Sequence, residues 1–320
     1  MNTIGELKKY DLHCHLDGSL SEAVIRKLAS GAGVDIPAGE KLMELLQVRP
    51  DCKSLKEYLE KFGLPLSCLA DRDSFRIAVS ALLGDGAKEN VVYMEIRFAP
   101  LLSVREGLIC REIIEGALDG LREGREKYGV GGNLILCGMR HMPAEKNVEL
   151  VETAREYLNQ GVAAVDLAGD EAAFPVKTQA EMFLKAKRLG MPFTIHAGEC
   201  GSAQSVWDAI ELGADRIGHG IAVRKDKNLE ALCAQRRIPL EMCPTSNLQT
   251  KAVDSLKDYP ILEFMEAGIP VTVNTDNRTV SGTTITKELE LLKEYFHITY
   301  SDMEQLMENA AGAAFDPVHS

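Results

Sequence analysis

The chain lacks the sequence features of several large protein classes. None of its apolar runs reaches the roughly 18 residues that a membrane-spanning helix needs, and the first residues, MNTIGELKKYDLH, contain no apolar signal core. Its eight cysteines form no CxxC pair, so neither a disulfide framework nor a zinc ribbon is indicated. These absences predict a cytoplasmic protein with no membrane contact.

A basic block is also missing. The chain has 36 Lys and Arg against 48 Asp and Glu, which gives a net charge of −12. A chain of this charge is repelled by a phosphate backbone, so we expect no nucleic-acid partner. The composition is otherwise that of a globular protein, with 45% hydrophobic and 26% charged residues over 320 positions.

Short apolar or β-branched runs alternate with amphipathic helical patterns along the chain. The predicted strands are residues 10–15, 91–98, 133–140, 162–168, 192–197, 215–220, 238–244 and 269–276. Eight strands that alternate with helices predict an α/β fold of the (β/α)8 TIM-barrel type, as one domain over residues 1–320. A doubly wound open sheet is the alternative.

The first two predicted strands are separated by residues 16–90, far more than one crossover needs. This insertion contains helical patterns, including SLKEYLEKFG with a Ser54–Glu57 capping box. A long insertion after the carboxyl end of a barrel strand lies over the active-site face. We therefore predict extra helices that form a lid, with a purely stabilising excursion as the alternative.

Polar side chains, most of them ionisable, follow the apolar runs of several predicted strands. They are His13 and His15 in strand one, His196 and Glu199 at strand five, His219 at strand six, and Asp276 with Asn277 at strand eight. The carboxyl ends of barrel strands converge on one face, and residues two apart on a strand point the same way. Imidazoles with a carboxylate suit Zn²⁺. Each residue taken alone could be an ordinary core or capping side chain.

Eight segments resemble, in order and spacing, the successive blocks of the adenosine deaminase family of the amidohydrolase superfamily. They are DLHCHLDGSL, YMEIRFAPLL, LCGMRHMP, VDLAGDE, TIHAGE, DRIGHG, EMCPTSN and VNTDN. The resemblance runs from about residue 10 to residue 280. The HxH pair is shared across the superfamily, whereas LAGDE together with HAGE and GHG is much narrower.

The resemblance implies a site with one Zn²⁺ per chain. Its ligands would be His13, His15, His196 and Asp276. Glu199 would be the acid that protonates purine N1, and His219 would orient the attacking hydroxide. The implied substrate contacts are Asp17 to the ribose 5′-hydroxyl, the Gly169 N–H to purine N3, Asn277 to N7, and Leu55, Tyr58, Leu59 and Phe62 over the purine. For the last four, the buried stripe of an amphipathic helix is the alternative.

The implied activity is the hydrolytic deamination of adenosine, and of 2′-deoxyadenosine, to inosine and ammonia in purine salvage. Adenine or another 6-aminopurine nucleoside is the alternative substrate, because Asn277 stands where the family usually has a second aspartate. An inactive barrel used for binding and a dinuclear metal hydrolase are two competing hypotheses. The dinuclear enzymes carry a strand-four lysine, and VAAVDLA has none. The sequence leaves the oligomeric state open.

Overall fold

The centre of the fold is a ring of parallel strands surrounded by helices. The computed structural model describes residues 3–49, 51–200 and 202–315. Within these residues the strands are β1 (Lys9–His15), β2 (Val91–Phe98), β3 (Gly131–Met139), β4 (Val162–Ala168), β5 (Thr194–Ala197), β6 (Arg216–His219), β7 (Leu240–Met242) and β8 (Val271–Val273).

The α-helices follow the strands and fill the insertion. They are α1 (Glu22–Ala32), α2 (Lys41–Leu46), α3 (Leu55–Leu59), α4 (Gly63–Cys68), α5 (Arg72–Ala87), α6 (Cys110–Tyr128), α7 (Ala144–Glu156), α8 (Ala180–Leu189), α9 (Ala203–Leu212), α10 (Lys227–Arg236), α11 (Pro244–Gln249), α12 (Ile261–Glu266), α13 (Arg278–Ser281), α14 (Ile285–Phe296) and α15 (Tyr300–Ala313). Among the helices of the described residues, none combines the length and the apolar character needed to cross a bilayer.

Two four-stranded parallel sheets, β1-β2-β3-β4 and β5-β6-β7-β8, meet at both of their edges. Between β4 and β5, Val165 pairs with Phe193. Between β8 and β1, Cys14 pairs with Asp276, and the His15 N–H donates to the Asp276 carbonyl at 2.6 Å. A sheet joined at both edges is a closed barrel. The predicted (β/α)8 barrel is therefore confirmed, and the open-sheet alternative is wrong.

Strand β8 is shorter than the sequence predicts, and side-chain hydrogen bonds accompany the backbone bonds beyond its carboxyl end. Only residues 271–273 of the predicted 269–276 are paired as β8. Beyond them, Asn274 Oδ1 accepts from the Leu12 N–H at 2.9 Å, and the Thr275 N–H donates to Asp11 Oδ1 at 3.2 Å. These bonds tie the loop after β8 to β1. They fix the position of the next residue, Asp276.

The insertion between β1 and β2 holds α1 to α5, as the sequence predicts. Ser54 caps α3 by accepting from the Glu57 N–H at 3.2 Å. The Tyr58 hydroxyl lies 2.7 Å from Ser281 Oγ in α13, which joins the insertion to the segment after β8. Because α3, the 3₁₀ turn Glu60–Phe62 and α4 follow one another without a break, they form one wall over the barrel mouth.

Candidate active site and metal centre

A cavity of about 420 Å³ opens at the carboxyl ends of the barrel strands. His15 at the end of β1, His196 in β5 and His219 at the end of β6 line it. Asp276 and Asn277 reach it from the loop after β8. Barrel enzymes carry their active sites at this face, and the volume is in the range of small-molecule sites.

Nitrogen and oxygen atoms of the predicted ligands meet at one point of this cavity. His15 Nε2 lies 3.2 Å from His196 Nε2 and 3.4 Å from Asp276 Oδ1. His13 Nε2 lies 3.5 Å from the same oxygen. Tetrahedral Zn²⁺ ligands lie roughly 3.3 Å apart, since Zn–N bonds are about 2.0–2.1 Å long. The spacing therefore suits a single ion.

His219 also lies near this point. A second set of four possible ligands consists of His13, His196, His219 and Asp276. Each offers one ligand atom, and these four atoms all lie within 4.8 Å of one another. Distances alone thus admit both His15 and His219 as ligands. The hydrogen bonds of each ring must distinguish them.

Buried carboxylates hold the outer nitrogens of two of the histidines. His13 Nδ1 lies 2.8 Å from Glu241 Oε2, and His196 Nδ1 lies 2.9 Å from Asp166 Oδ2. A carboxylate on Nδ1 leaves the Nε2 lone pair for a metal, which is the usual arrangement at zinc sites. The Nε2 of His13 is buried and has no hydrogen-bond partner. A buried nitrogen in this condition is costly unless a cation satisfies it, so these side chains fit Zn²⁺.

One arginine lies between the two carboxylates. Arg97 Nη1 is 2.9 Å from Asp166 and Nη2 is 2.8 Å from Glu241, and all three side chains are fully buried. Burial alone would raise the pKa of Asp166, but His196 and Arg97 lower that pKa by more. The pKa of Glu241 is also well below its usual value, because Arg97 and Arg216 outweigh its burial. Both carboxylates are therefore ionised acceptors.

The ring of His13 is neutral, because its burial and its charged neighbour both disfavour protonation. Its burial, with the nearby charge of Arg97, lowers the pKa of His13 to about 4. Burial likewise lowers the pKa of His15 well below its ordinary value. Neutral imidazoles are the form that binds metal ions.

Two residues of the site have left-handed backbone conformations that non-glycine residues rarely adopt. They are His219, with φ 62°, and Asp276, with φ 59°. Such conformations cost about 1–3 kcal/mol and persist where the surrounding structure imposes them, often at functional sites. Ser246 Oγ donates to Asp276 Oδ2 at 2.5 Å. This bond leaves the other oxygen, Asp276 Oδ1, facing His13 and His15.

Glu199 is the carboxyl group beside this cluster. It is buried, and its Oε2 lies 3.6 Å from His219 Nε2. Burial raises the pKa of Glu199, against the opposing effect of His219. A raised pKa keeps the carboxyl group protonated at higher pH, as a general acid requires.

Glu171 orients the turn that carries Glu199. Its two carboxylate oxygens accept from the Gly198 N–H at 2.6 Å and from the Cys200 N–H at 2.9 Å. These donors flank Glu199 on both sides. The sequence predicted Glu199 at this place but not Glu171, although both are acids of the matched blocks VDLAGDE and TIHAGE.

The opposite wall of the cavity is apolar and comes from the insertion. The predicted residues Leu55, Tyr58, Leu59 and Phe62 all line it. Of these four, Leu59 is 36% exposed. Tyr58 is buried against Val280 and Phe62 while also lining the cavity.

The predicted polar contacts lie between these two walls. Asp17, Gly169 and Asn277 all line the cavity, and Asp17 Oδ1 is buried without a hydrogen-bond partner. Gly169 has φ 108°, a conformation that strains any other residue. A Cβ on Gly18 would lie 1.9 Å from Asn277 Oδ1, so only glycine lets the amide oxygen pack there.

The structure thus brings all the predicted site residues to one place. His13 lies beneath the cavity floor, and the others line the cavity. Sequence reasoning missed the residues that hold them, which are Arg97, Asp166, Glu171, Glu241, Ser246 and Asn247. A charged residue inside a largely apolar strand, such as Arg97 in VVYMEIRF, was the available signal.

Comparison with known proteins identifies relatives over nearly the whole chain. The sequence model of the family described as adenosine deaminase matches residues 8–320. An adenosine deaminase of Enterococcus faecalis is 42% identical over 313 residues, which are 98% of this chain and 93% of that protein.

Solved structures with the same fold include an adenine deaminase and a protein complexed with a purine nucleotide. The adenine deaminase of Arthrobacter aurescens superposes with a TM-score of 0.88 at 26% identity, over 96% of this chain and 93% of that one. Arabidopsis ADAL complexed with IMP superposes with a TM-score of 0.87 at 26% identity, over 99% of this chain and 95% of that one. The fold is therefore shared with proteins that act on or bind small purine molecules.

Proposed function

The chain belongs to the adenosine deaminase family, and from this membership we propose that it hydrolyses adenosine to inosine and ammonia. The observation that carries the proposal is the position of Glu199. Its buried carboxyl group lies 3.6 Å from His219 and opens onto the same cavity as the histidine cluster. An acid and a metal-compatible cluster on one cavity suit hydrolysis of an amino group on an aromatic ring.

We propose one Zn²⁺ per chain, with His13, His15, His196 and Asp276 as its ligands. The proposal is supported by the unpartnered Nε2 of His13 and by the carboxylates on the outer nitrogens of His13 and His196. When bound, Zn²⁺ would activate water near neutral pH as a Lewis acid.

The protein's own groups move the protons. We propose that Glu199 donates a proton to purine N1, which makes C6 a better electrophile. Burial favours its protonated form, as its raised pKa indicates. The Nε2 of His219 faces Glu199. From this position His219 would orient the attacking oxygen. Proton transfers of this kind contribute about 10²–10⁴-fold to rate.

The remaining contacts would position the nucleoside. Asn277 would donate its amide hydrogen to purine N7, which an amide can do at any pH. The Gly169 N–H would donate to N3, and Asp17 would accept from the ribose 5′-hydroxyl. The wall of Leu55, Tyr58, Leu59 and Phe62 would cover the purine and exclude water.

Two related substrates are the competing candidates. A free base would leave the buried Asp17 Oδ1 without the hydroxyl donor that a ribose provides. A 5′-phosphate would meet Asp17 and Asp170, and the described residues that line the cavity include no Lys or Arg to pair with it. Both considerations favour a nucleoside over adenine and over a nucleotide.

The test compares ammonia release from adenosine, 2′-deoxyadenosine, adenine and AMP by the zinc-loaded protein and by Asp17→Ala. We expect kcat/KM to be highest for the two nucleosides. In Asp17→Ala, the ratio of kcat/KM for adenosine to kcat/KM for adenine should be smaller than in the parent protein. A higher kcat/KM for adenine or AMP than for adenosine would contradict the proposed substrate.

A further inference from the structure

Asn247 is a fully buried residue of α11, and its neighbours fix the direction of its side-chain amide. The Cys243 backbone N–H, which can only donate, approaches Asn247 Oδ1 at 3.3 Å. The Tyr259 hydroxyl donates to the same oxygen at 3.2 Å. The oxygen therefore faces these two donors, and the NH₂ group points the other way.

The NH₂ group of Asn247 faces His219. Asn247 Nδ2 lies 3.0 Å from His219 Nδ1. An amide nitrogen only donates, so His219 Nδ1 must accept and carry no hydrogen. The proton of a neutral ring then sits on Nε2, the nitrogen 3.6 Å from Glu199.

We propose that Asn247 is a positioning residue that holds His219 as the Nε2–H tautomer. In this form His219 donates a hydrogen bond toward Glu199 and the reacting oxygen. It has no lone pair free for a metal, because Nε2 carries the proton and Nδ1 is bonded to Asn247. Distances alone admit either His15 or His219 as the fourth metal ligand. The tautomer of His219 excludes His219 from that role and leaves His15.

The reverse orientation of the amide conflicts with its surroundings. A flipped Asn247 would turn its NH₂ group toward the Cys243 N–H and the Tyr259 hydroxyl, leaving the backbone donor unpaired in a buried place. His13 differs from His219 in this respect. His13 has a carboxylate on Nδ1, which accepts a hydrogen and leaves Nε2 free, whereas His219 has a donor there. The partner of Nδ1 therefore separates a metal-binding ring from a hydrogen-donating one.

Asn247→Asp replaces the hydrogen-bond donor that faces His219 Nδ1 by an acceptor, with little change in the shape of the side chain. Aspartate keeps an oxygen for the Cys243 N–H and the Tyr259 hydroxyl but presents a second oxygen to His219 Nδ1. Ring ¹⁵N spectra of ¹⁵N-histidine-labelled, zinc-loaded protein, with His219 assigned from His219→Gln, report which nitrogen is protonated. We expect an unprotonated Nδ1 in the parent and a protonated Nδ1 in Asn247→Asp.

The kinetic part of this test rests on the proposed deaminase function, whereas the spectra do not. We expect kcat for adenosine to fall by about 10²–10⁴-fold in Asn247→Asp with little change in KM and with zinc retained, as for loss of a correct tautomer. Asn228→Asp adds the same charge at an exposed position of α10 and should leave kcat unchanged. Tyr259→Phe keeps the bond between amide and imidazole, so it should leave the tautomer unchanged.

Three results would overturn the proposal. One is a protonated Nδ1 on His219 in the parent protein, which needs no variant and no substrate. Another is an Asn247→Asp protein whose kcat equals that of the parent. The third is a change of tautomer in Tyr259→Phe equal to that in Asn247→Asp, which would make the effect one of general packing.

Discussion

Arg97→Met tests whether the buried ion pairs beneath the histidines hold the metal site together. Arg97 bridges Asp166 and Glu241, and both carboxylates are fully buried. Methionine fills much of the same space without the charge. Glu241 would keep Arg216, whose Nε lies 2.7 Å from it. Asp166 would lose its arginine and keep its hydrogen bond from the Leu167 N–H at 2.7 Å.

The expected loss in the free energy of unfolding depends on which carboxylate is left without an arginine. Removing one partner of a buried ion pair costs about 3–5 kcal/mol. Because Glu241 keeps Arg216, we expect one such penalty in the free energy of unfolding and not two. Asp166 without Arg97 has a higher pKa and is a weaker ionic partner for His196, whose Nδ1 lies 2.9 Å from Asp166 Oδ2. Loss of the partner on the outer nitrogen of a metal-binding histidine reduces metal affinity by about 10–100-fold.

Urea unfolding of the metal-free protein and zinc competition with a chelator measure the two effects separately. The matched control is Arg216→Met, which removes the contacts with Glu95 at 2.5 Å and with Glu241 at 2.7 Å but leaves Arg97 on both Asp166 and Glu241. It should lose similar stability and keep its zinc affinity. If Arg97→Met bound zinc as tightly as Arg216→Met did, the ion pairs would not position the ligands.

Two further changes test other parts of the site and fold. Burial raises the pKa of Glu288 from 4.5 to about 7, so this residue's contribution to stability is present below pH 4.5 and is lost as the pH rises through 7. Glu288→Gln should therefore be more stable than the parent at pH 8, by up to about 3 kcal/mol, and no more stable at pH 4.5. Equal pH dependence of urea unfolding in both proteins would contradict this. Asn277→Ala should raise KM or lower kcat for adenosine because it removes the proposed donor to the purine, and unchanged constants would show that Asn277 does not contact the substrate.

The barrel and its polar face were predictable because both depend on local patterns. Short apolar or β-branched runs marked the strands, and the polar residues directly after them had to converge once the barrel closed. His196, His219 and Asp276 were found this way. Helix α3 was predictable from Ser54, whose capping bond to the Glu57 N–H the structure contains.

The residues that support the site were not predictable, because their partners are distant in sequence. Arg97 meets Asp166 and Glu241 only when β2, β4 and β7 share one barrel interior. Asn247 lies in a six-residue helix whose sequence, PTSNLQ, reads as a loop. Its function depends on a hydrogen bond to His219, 28 positions away. A sequence pattern can indicate a buried charge but not which partner it has.

A zinc titration of the metal-free protein tests the central proposal most directly. Conversion of adenosine to inosine, followed by absorbance, should be absent without metal and rise linearly to a break at one ion per chain. Glu199→Gln should bind the same one ion while its kcat is lower by about 10²–10⁴-fold. A break at two ions per chain, or a Glu199→Gln protein as active as the parent, would contradict a single-zinc deaminase with Glu199 as its acid.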